Sequence, residues 1–173
     1  SPVTFSTTAA AGTAGKLAIT IQPATSGASG VPLAPQPQVR LLDANDNPVL
    51  QSGIPITATI FSGPGGSVSG ATVNTNASGI AVFNSLAIVG PSGDYVLNFA
   101  GTNISAVTSG TITIGAGAAT KIALITGPPA AVAIGEEFSV QVQLQDGAGN
   151  PVGNAGVLIN AILQPGSGAT LNG

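Results

Sequence analysis

Leu42-Asp43-Ala44-Asn45-Asp46-Asn47-Pro48-Val49 lies over Gln145-Asp146-Gly147-Ala148-Gly149-Asn150-Pro151-Val152 when the chain is slid along itself by 103 residues. In the same register Ser62-Gly63-Pro64-Gly65-Gly66 falls over Pro165-Gly166-Ser167-Gly168-Ala169, and at an offset of 105 Lys16-Leu17-Ala18-Ile19 meets Lys121-Ile122-Ala123-Leu124. Self-similarity at a fixed period marks a repeat architecture in which each copy is one structural unit. The second copy runs to Gly173, opposite Gly70, so Ala71 to Ile114 have no counterpart. Val3-Thr4-Phe5 and the small residues after it resemble Ile112-Thr113-Ile114 and the linker Gly115 to Thr120. The expected organisation has residues 1-15 as the last strand of a preceding repeat plus linker, 16-115 as a complete repeat, and 116-173 as the incomplete first part of a following one. We expect a window on a longer tandem array.

The local pattern is that of strands. Ser139-Val140-Gln141-Val142-Gln143-Leu144-Gln145 alternates apolar and polar with period two, as a half-buried antiparallel strand requires. The same alternation runs through Leu17, Ile19 and Ile21, through Val39 and Leu41, through Ile56, Ala58 and Ile60, through Tyr95, Leu97 and Phe99, and through Ile112 and Ile114. Helical apolar stripes are interrupted everywhere by Gly or Pro. About seven short strands per repeat, each followed by turn residues, predict an all-β chain of antiparallel two-sheet sandwiches. Phe61, Phe83, Phe99 and Tyr95 are the large rings expected in its core.

Composition excludes several functions. The 173 residues include no Cys, Met, Trp or His, and charged residues are 5% where a typical soluble domain has about 25%. Lys16, Arg40 and Lys121 are the only basic side chains, so no basic stripe exists to neutralise a phosphate backbone, and nucleic acid is excluded as a partner. Mean hydropathy is positive at +0.48, but Gly, Pro, Asn, Ser and Thr break every apolar run far short of the about 18 residues that a spanning helix needs. No membrane contact is expected in this segment. Without His or Cys the common zinc ligands and nucleophile-base pairs are missing, and no motif of an activated nucleophile occurs, so the chain is not expected to be an enzyme.

Three stretches carry a family resemblance: Leu41 to Val49, then Thr75-Asn76-Ala77-Ser78-Gly79-Ile80-Ala81-Val82-Phe83, then Gly93-Asp94-Tyr95-Val96-Leu97-Asn98-Phe99. Together they resemble the tandem bacterial immunoglobulin-like (Big, invasin-intimin-type) repeats of cell-surface proteins. The resemblance implies immunoglobulin-like sandwiches and an extracellular or cell-surface location. It covers nearly the whole chain, speaks to fold more than to function, and carries over no receptor-binding tip. Independently of it, Tyr95 after Gly93-Asp94 fits a tyrosine corner whose hydroxyl bonds a nearby backbone group.

Few residues are candidates for a site. Asp43, Asn45, Asp46 and Asn47 offer oxygens that either close Asx turns or bind calcium, the one cofactor considered; the second copy keeps only one of the two carboxylates. Asn76-Ala77-Ser78 and Asn103-Ile104-Ser105 match the glycosylation sequon, making Asn76 and Asn103 candidates for modification. Glu136-Glu137 reads as a solvated strand start. Lys16 and Lys121, which open the first strand of each copy, are either hydrated charges or donors of a lysine-asparagine cross-link. The expected function is a structural, non-catalytic segment acting as a stalk or filament building block, with neighbouring repeats of the same protein as partners in a homo-assembly. The alternatives are an adhesin-type module for glycan or protein, or a self-assembling filament or surface-layer subunit completed by neighbouring chains.

Overall fold

The computed structural model describes residues 10–153 and 156–162. Period-two patterning becomes β1 (Lys16–Ile21), β2 (Ser26–Ala28), β3 (Gln38–Leu42), β4 (Pro55–Ser62), β5 (Ser67–Ser69), β6 (Thr72–Asn74), β7 (Ile80–Val82), β8 (Ala87–Val89), β9 (Gly93–Gly101), β10 (Ile104–Thr108), β11 (Ile112–Gly115), β12 (Lys121–Thr126) and β13 (Gln141–Gln145). Among the described residues there is no helix, and the chain is all-β with its strands in several sheets. Val3 to Phe5, and the Pro165 to Ala169 counterpart of the Ser62 to Gly66 turn, lie outside the described residues.

Strand β9 organises the first copy because it is long enough to serve three neighbours. Near its start Tyr95 pairs with Ile112 of β11, further on Leu97 and Phe99 pair with Ile60 and Ala58 of β4, and on its other edge Phe99 and Gly101 face Val107 and Ile104 of β10. The remaining antiparallel pairings of this copy are β1 with β3, β3 with β7, β4 with β6, and β5 with β8. Two pairings are parallel, β1 with β10 and β2 with β11, and they join the beginning of the copy to its end. In the second copy β12 pairs with β13, and its register, Lys121 opposite Gln145, reproduces that of Lys16 opposite Leu42.

Alternation places Val39, Leu41, Ile56, Leu97, Phe99, Ile112 and Ile114 in one apolar cluster with Phe83, Leu86 and Ile88. Phe83 and Phe99 meet edge to face with ring centroids 5.4 Å apart, the arrangement that aromatic quadrupoles favour. Ala58 and Ala81 are also fully buried, so small side chains leave room for these rings. Phe61 corrects the expected core: it is 68% exposed. It is out of phase with Ile56, Ala58 and Ile60, and the irregularity in the β4–β9 register between Ile60 and Ser62 keeps it on the outside. Within the first copy the strands are also more numerous than the expected seven, because Gly63-Pro64-Gly65-Gly66 and similar turns cut them into three-residue pieces. Ordered pairing in β13 starts at Gln141, two residues later than the alternation suggests, and Glu136 and Glu137 lie in an exposed loop ahead of it.

This core makes a sharp contrast between two phenylalanines. Phe99→Ala removes a fully buried ring and is expected to cost about 3–5 kcal/mol. Phe61→Ser is expected to change stability by less than about 0.5 kcal/mol. Denaturant unfolding of the two variants checks this.

Candidate functional site

Strand β3 ends where Asp43 turns its carboxylate back onto the chain. The Asp43 N–H donates to Asn47 O at 3.0 Å and the Asp46 N–H to Asp43 O at 3.2 Å, while Asp46 takes a left-handed φ of 66°. Pro48 then bridges to Leu42, where it has no N–H to offer. Inside this turn Asp43 Oδ1 accepts from the Asn45 and Asn47 N–H groups, both at 2.9 Å. Its Oδ2 accepts from the Gly12 N–H at 2.8 Å and from Asn47 Nδ2 at 3.0 Å. Asp43 thus ties the segment that leads into β1 to the turn that follows β3.

Asp146 repeats the arrangement. Its Oδ1 accepts from the Asn150 N–H at 2.9 Å, and its Oδ2 accepts from the Gly117 N–H and from Asn150 Nδ2, each at 2.8 Å. The backbone bonds recur too, with Asp146 N–H to Asn150 O at 3.0 Å and Gly149 N–H to Asp146 O at 3.1 Å. Gly149 has φ 94° where Asp46 has φ 66°, so glycine replaces aspartate at a position whose backbone suits it. The Asp, Asn and Pro residues persist because they make the turn. The side chains that vary between the copies, at Ala44, Asn45 and Asp46, donate nothing to the carboxylate.

Both carboxyls are held at about pKa 2, below the ordinary 3.8. For Asp43 the Gly12 N–H is the chief cause, followed by the Asn47 side chain and the Asn47 backbone, with a smaller contribution from Asn45; together they outweigh the opposing effect of burial. For Asp146 burial is the largest influence and pushes the carboxyl up, but the Asn150 side chain and the Gly117, Asn150 and Ala148 backbones together outweigh it.

One feature separates the two turns. Asn150 reaches out of its own copy: its Oδ1 accepts from the Ser92 N–H at 2.7 Å, and its Nδ2 donates to Gly90 O at 3.0 Å as well as to Asp146. Both amide protons and the carbonyl are used, and Asn150 is only 6% exposed. The turn it grips is braced from within by Tyr95, whose hydroxyl lies 2.7 Å from Pro91 O and 2.9 Å from Gly65 O and shares its proton between them. This is the backbone contact expected of Tyr95. A Cβ on Gly90 would lie 2.6 Å from that hydroxyl, and a Cβ on Gly117 would lie 2.3 Å from Ser29 O, so at both places only glycine lets the backbones approach.

The Asp43 oxygens face four N–H donors, which a calcium ion would have to displace, and the Asp46 Oδ1 sits 2.7 Å from Lys16 Nζ. The two carboxylates are therefore engaged separately, while Asn45 contributes its backbone and Asn47 its backbone and amide. Among the described residues no three His, Cys, Asp or Glu side chains are grouped to hold a metal. Lys16 Nζ is paired with the Asp46 carboxylate, and Lys121 Nζ lies 3.5 Å from Gly147 O; among the described residues neither is hydrogen-bonded to an asparagine side chain. Asn76 and Asn103 are both exposed; Asn76 Oδ1 accepts from the Ser78 and Ile80 N–H groups in an Asx turn, and Asn103 takes φ 60° between β9 and β10. Sequence reasoning missed Gly12, Gly117 and the Gly90–Ser92 turn. The signal for the first two was present, since each glycine stands at the same spacing before its lysine. No family model matches the chain, and a search of curated proteins finds no match.

The carboxylate cages predict an acid-sensitive fold. Because both folded-state pKa values are depressed, the stability they contribute is complete above about pH 4 and is lost as pH falls toward about 2. Thermal unfolding of the chain is expected to show a falling Tm across that interval. Asp43→Asn, which puts an amide among N–H donors, is expected to lower the Tm at neutral pH and to flatten the acid dependence.

Proposed function

We propose that the chain is a structural, non-catalytic segment of a long extracellular surface protein, built of tandem immunoglobulin-like antiparallel β-sandwiches and acting as a stalk or filament building block. The observation that carries this reading is the Asn150 contact. A side chain of the second copy, buried and fully hydrogen-bonded against the Gly90–Ser92 turn of the first, restrains the joint between copies instead of leaving a free tether. The short linker Gly115 to Thr120 works in the same sense, with Gly117 pinned to Asp146 and pressed against Ser29.

The immunoglobulin-like part of the reading draws support from the central β9, from its tyrosine corner, and from the parallel closure of β1 on β10 and β2 on β11. Parallel terminal pairs suit a load-bearing element. Pulling the two ends of a copy apart slides β2 against β11 and loads their hydrogen bonds together, so the copy resists until it gives way cooperatively. A second reading, a subunit completed by neighbouring chains, is favoured by one observation: Ile122, Leu124 and Val142 on the β12–β13 pair are exposed, and an apolar face of this kind calls for a cover.

The test is the size and location of the native polypeptide. An antibody raised against this chain is expected to detect, in the extracellular or surface fraction of the source cells, a polypeptide well above 16.5 kDa. A species of about that mass at the surface would favour the completed-subunit reading, and one confined to the cell interior would overturn both.

A further inference from the structure

Asn47 and Asn150 occupy one position in two copies and make the same local bonds. Each donates its N–H to the aspartate Oδ1 at 2.9 Å, and each donates Nδ2 to the aspartate Oδ2, at 3.0 Å for Asn47 and 2.8 Å for Asn150. Each also accepts the aspartate N–H at 3.0 Å. Beyond these bonds they part. Asn150 is covered by the Gly90–Ser92 turn of the copy before it, whereas Asn47 is exposed, and among the described residues its Oδ1 has no partner.

Gly12 carries the same message independently. At its counterpart Gly117 a side chain is forbidden by the Ser29 carbonyl of the copy before it, 2.3 Å from where a Cβ would stand. At Gly12 a Cβ would meet nothing nearer than the Asp43 side chain at 3.5 Å, and its φ is not in the left-handed region, so nothing described in its own copy requires glycine. A carbonyl approaching from outside, as Ser29 approaches Gly117, would give glycine a reason at this position.

We propose that the open face formed by Gly12 and Asn47 is a docking site for the Gly90–Ser92 turn of another copy of this unit placed ahead of Gly12. The inference rests on the stalk reading and gives it a recognition chemistry: the asparagine carboxamide reads one backbone N–H and one backbone carbonyl of the turn, with the Asp43 carboxylate holding the carboxamide in place. Each unit then carries both halves of the contact, the turn on one end and the asparagine on the other. Such a heterologous contact does not close on itself and propagates along a line of copies. The reading atoms are backbone atoms, so the turn is recognised by its shape, which Tyr95 maintains from within.

The experiment uses an extended chain in which residues 1–116 are joined to residues 12–173, so that Gly12 follows Ala116 as Gly117 does. Amide exchange measured by NMR reads the upstream Ser92 N–H, with the downstream Ser92 N–H, already bonded to Asn150, as the internal reference. The upstream Ser92 is expected to match the reference, and to exchange about tenfold faster in both the Asn47→Ala and Gly12→Ala versions of the downstream unit. Gly12→Ala in the 173-residue chain is expected to leave its Tm unchanged, so that a loss of protection in the extended chain reports docking and not unfolding. An upstream Ser92 that exchanges equally fast in parent and variants, with the reference protected, overturns this proposal and leaves the stalk reading standing. If the reference is unprotected as well, both fail. A mass in solution that rises with concentration and returns to the monomer on Asn47→Ala also overturns the proposal, because it assigns the face to a separate molecule.

Discussion

A buried carboxylate that accepts only N–H donors is the constraint on which the rest of this structure depends. Asp43 is 3% exposed and Asp146 is 2% exposed, and among the described residues neither forms a salt bridge; their charge is satisfied by backbone amides and one asparagine side chain each. A charged group can stay buried in this way only if every donor is in place. The requirement orders three things together: the approach to the first strand through Gly12 or Gly117, the turn after the next strand, and the rotamer of Asn47 or Asn150. In a chain with so few charges, these carboxylates concentrate the electrostatic order at the ends of the units.

From that point the connections run outward. The Asp146 cage holds Asn150, Asn150 grips the Gly90–Ser92 turn, and Tyr95 holds that turn from the core side through Pro91 and Gly65. Tyr95 itself sits in β9, the strand that pairs with β4, β10 and β11. A continuous path of hydrogen bonds and packing therefore leads from the apolar centre of the first copy to the turn of the second. On the proposed reading this path carries load and fixes direction, which is what a stalk needs and a flexible tether cannot give.

The all-β class was legible because alternation in Tyr95, Leu97 and Phe99, and in Val39 and Leu41, is a direct image of which side of a strand faces the core. Phe61 misled because hydrophobicity says that a ring prefers burial, whereas phase and a local irregularity decided that this one stays outside. At the candidate site, Asp43 and Asn47 were visible as turn residues, with calcium binding as the alternative reading, and the loss of one of the two carboxylates in the second copy weighed toward the turn. The reach of Asn150 to Gly90 and Ser92 was not visible. The atoms it recognises are backbone atoms 58 and 60 residues away, and a main-chain N–H or carbonyl leaves no mark on residue identity. Glycines at 90 and 117 are the trace it leaves, and their meaning emerges once Tyr95 and Ser29 are placed beside them.

The most direct test of the docked joint is the alignment of the two copies in solution. Residual dipolar couplings from amides of β9 and from amides of β12 and β13 in the full chain should fit one alignment tensor, and Asn150→Ala should split them into two. Couplings from β12 and β13 already scaled toward zero relative to β9 in the unmodified chain, with both strands still paired, would contradict the account, because the copies would then be reorienting freely across the Gly115 to Thr120 linker.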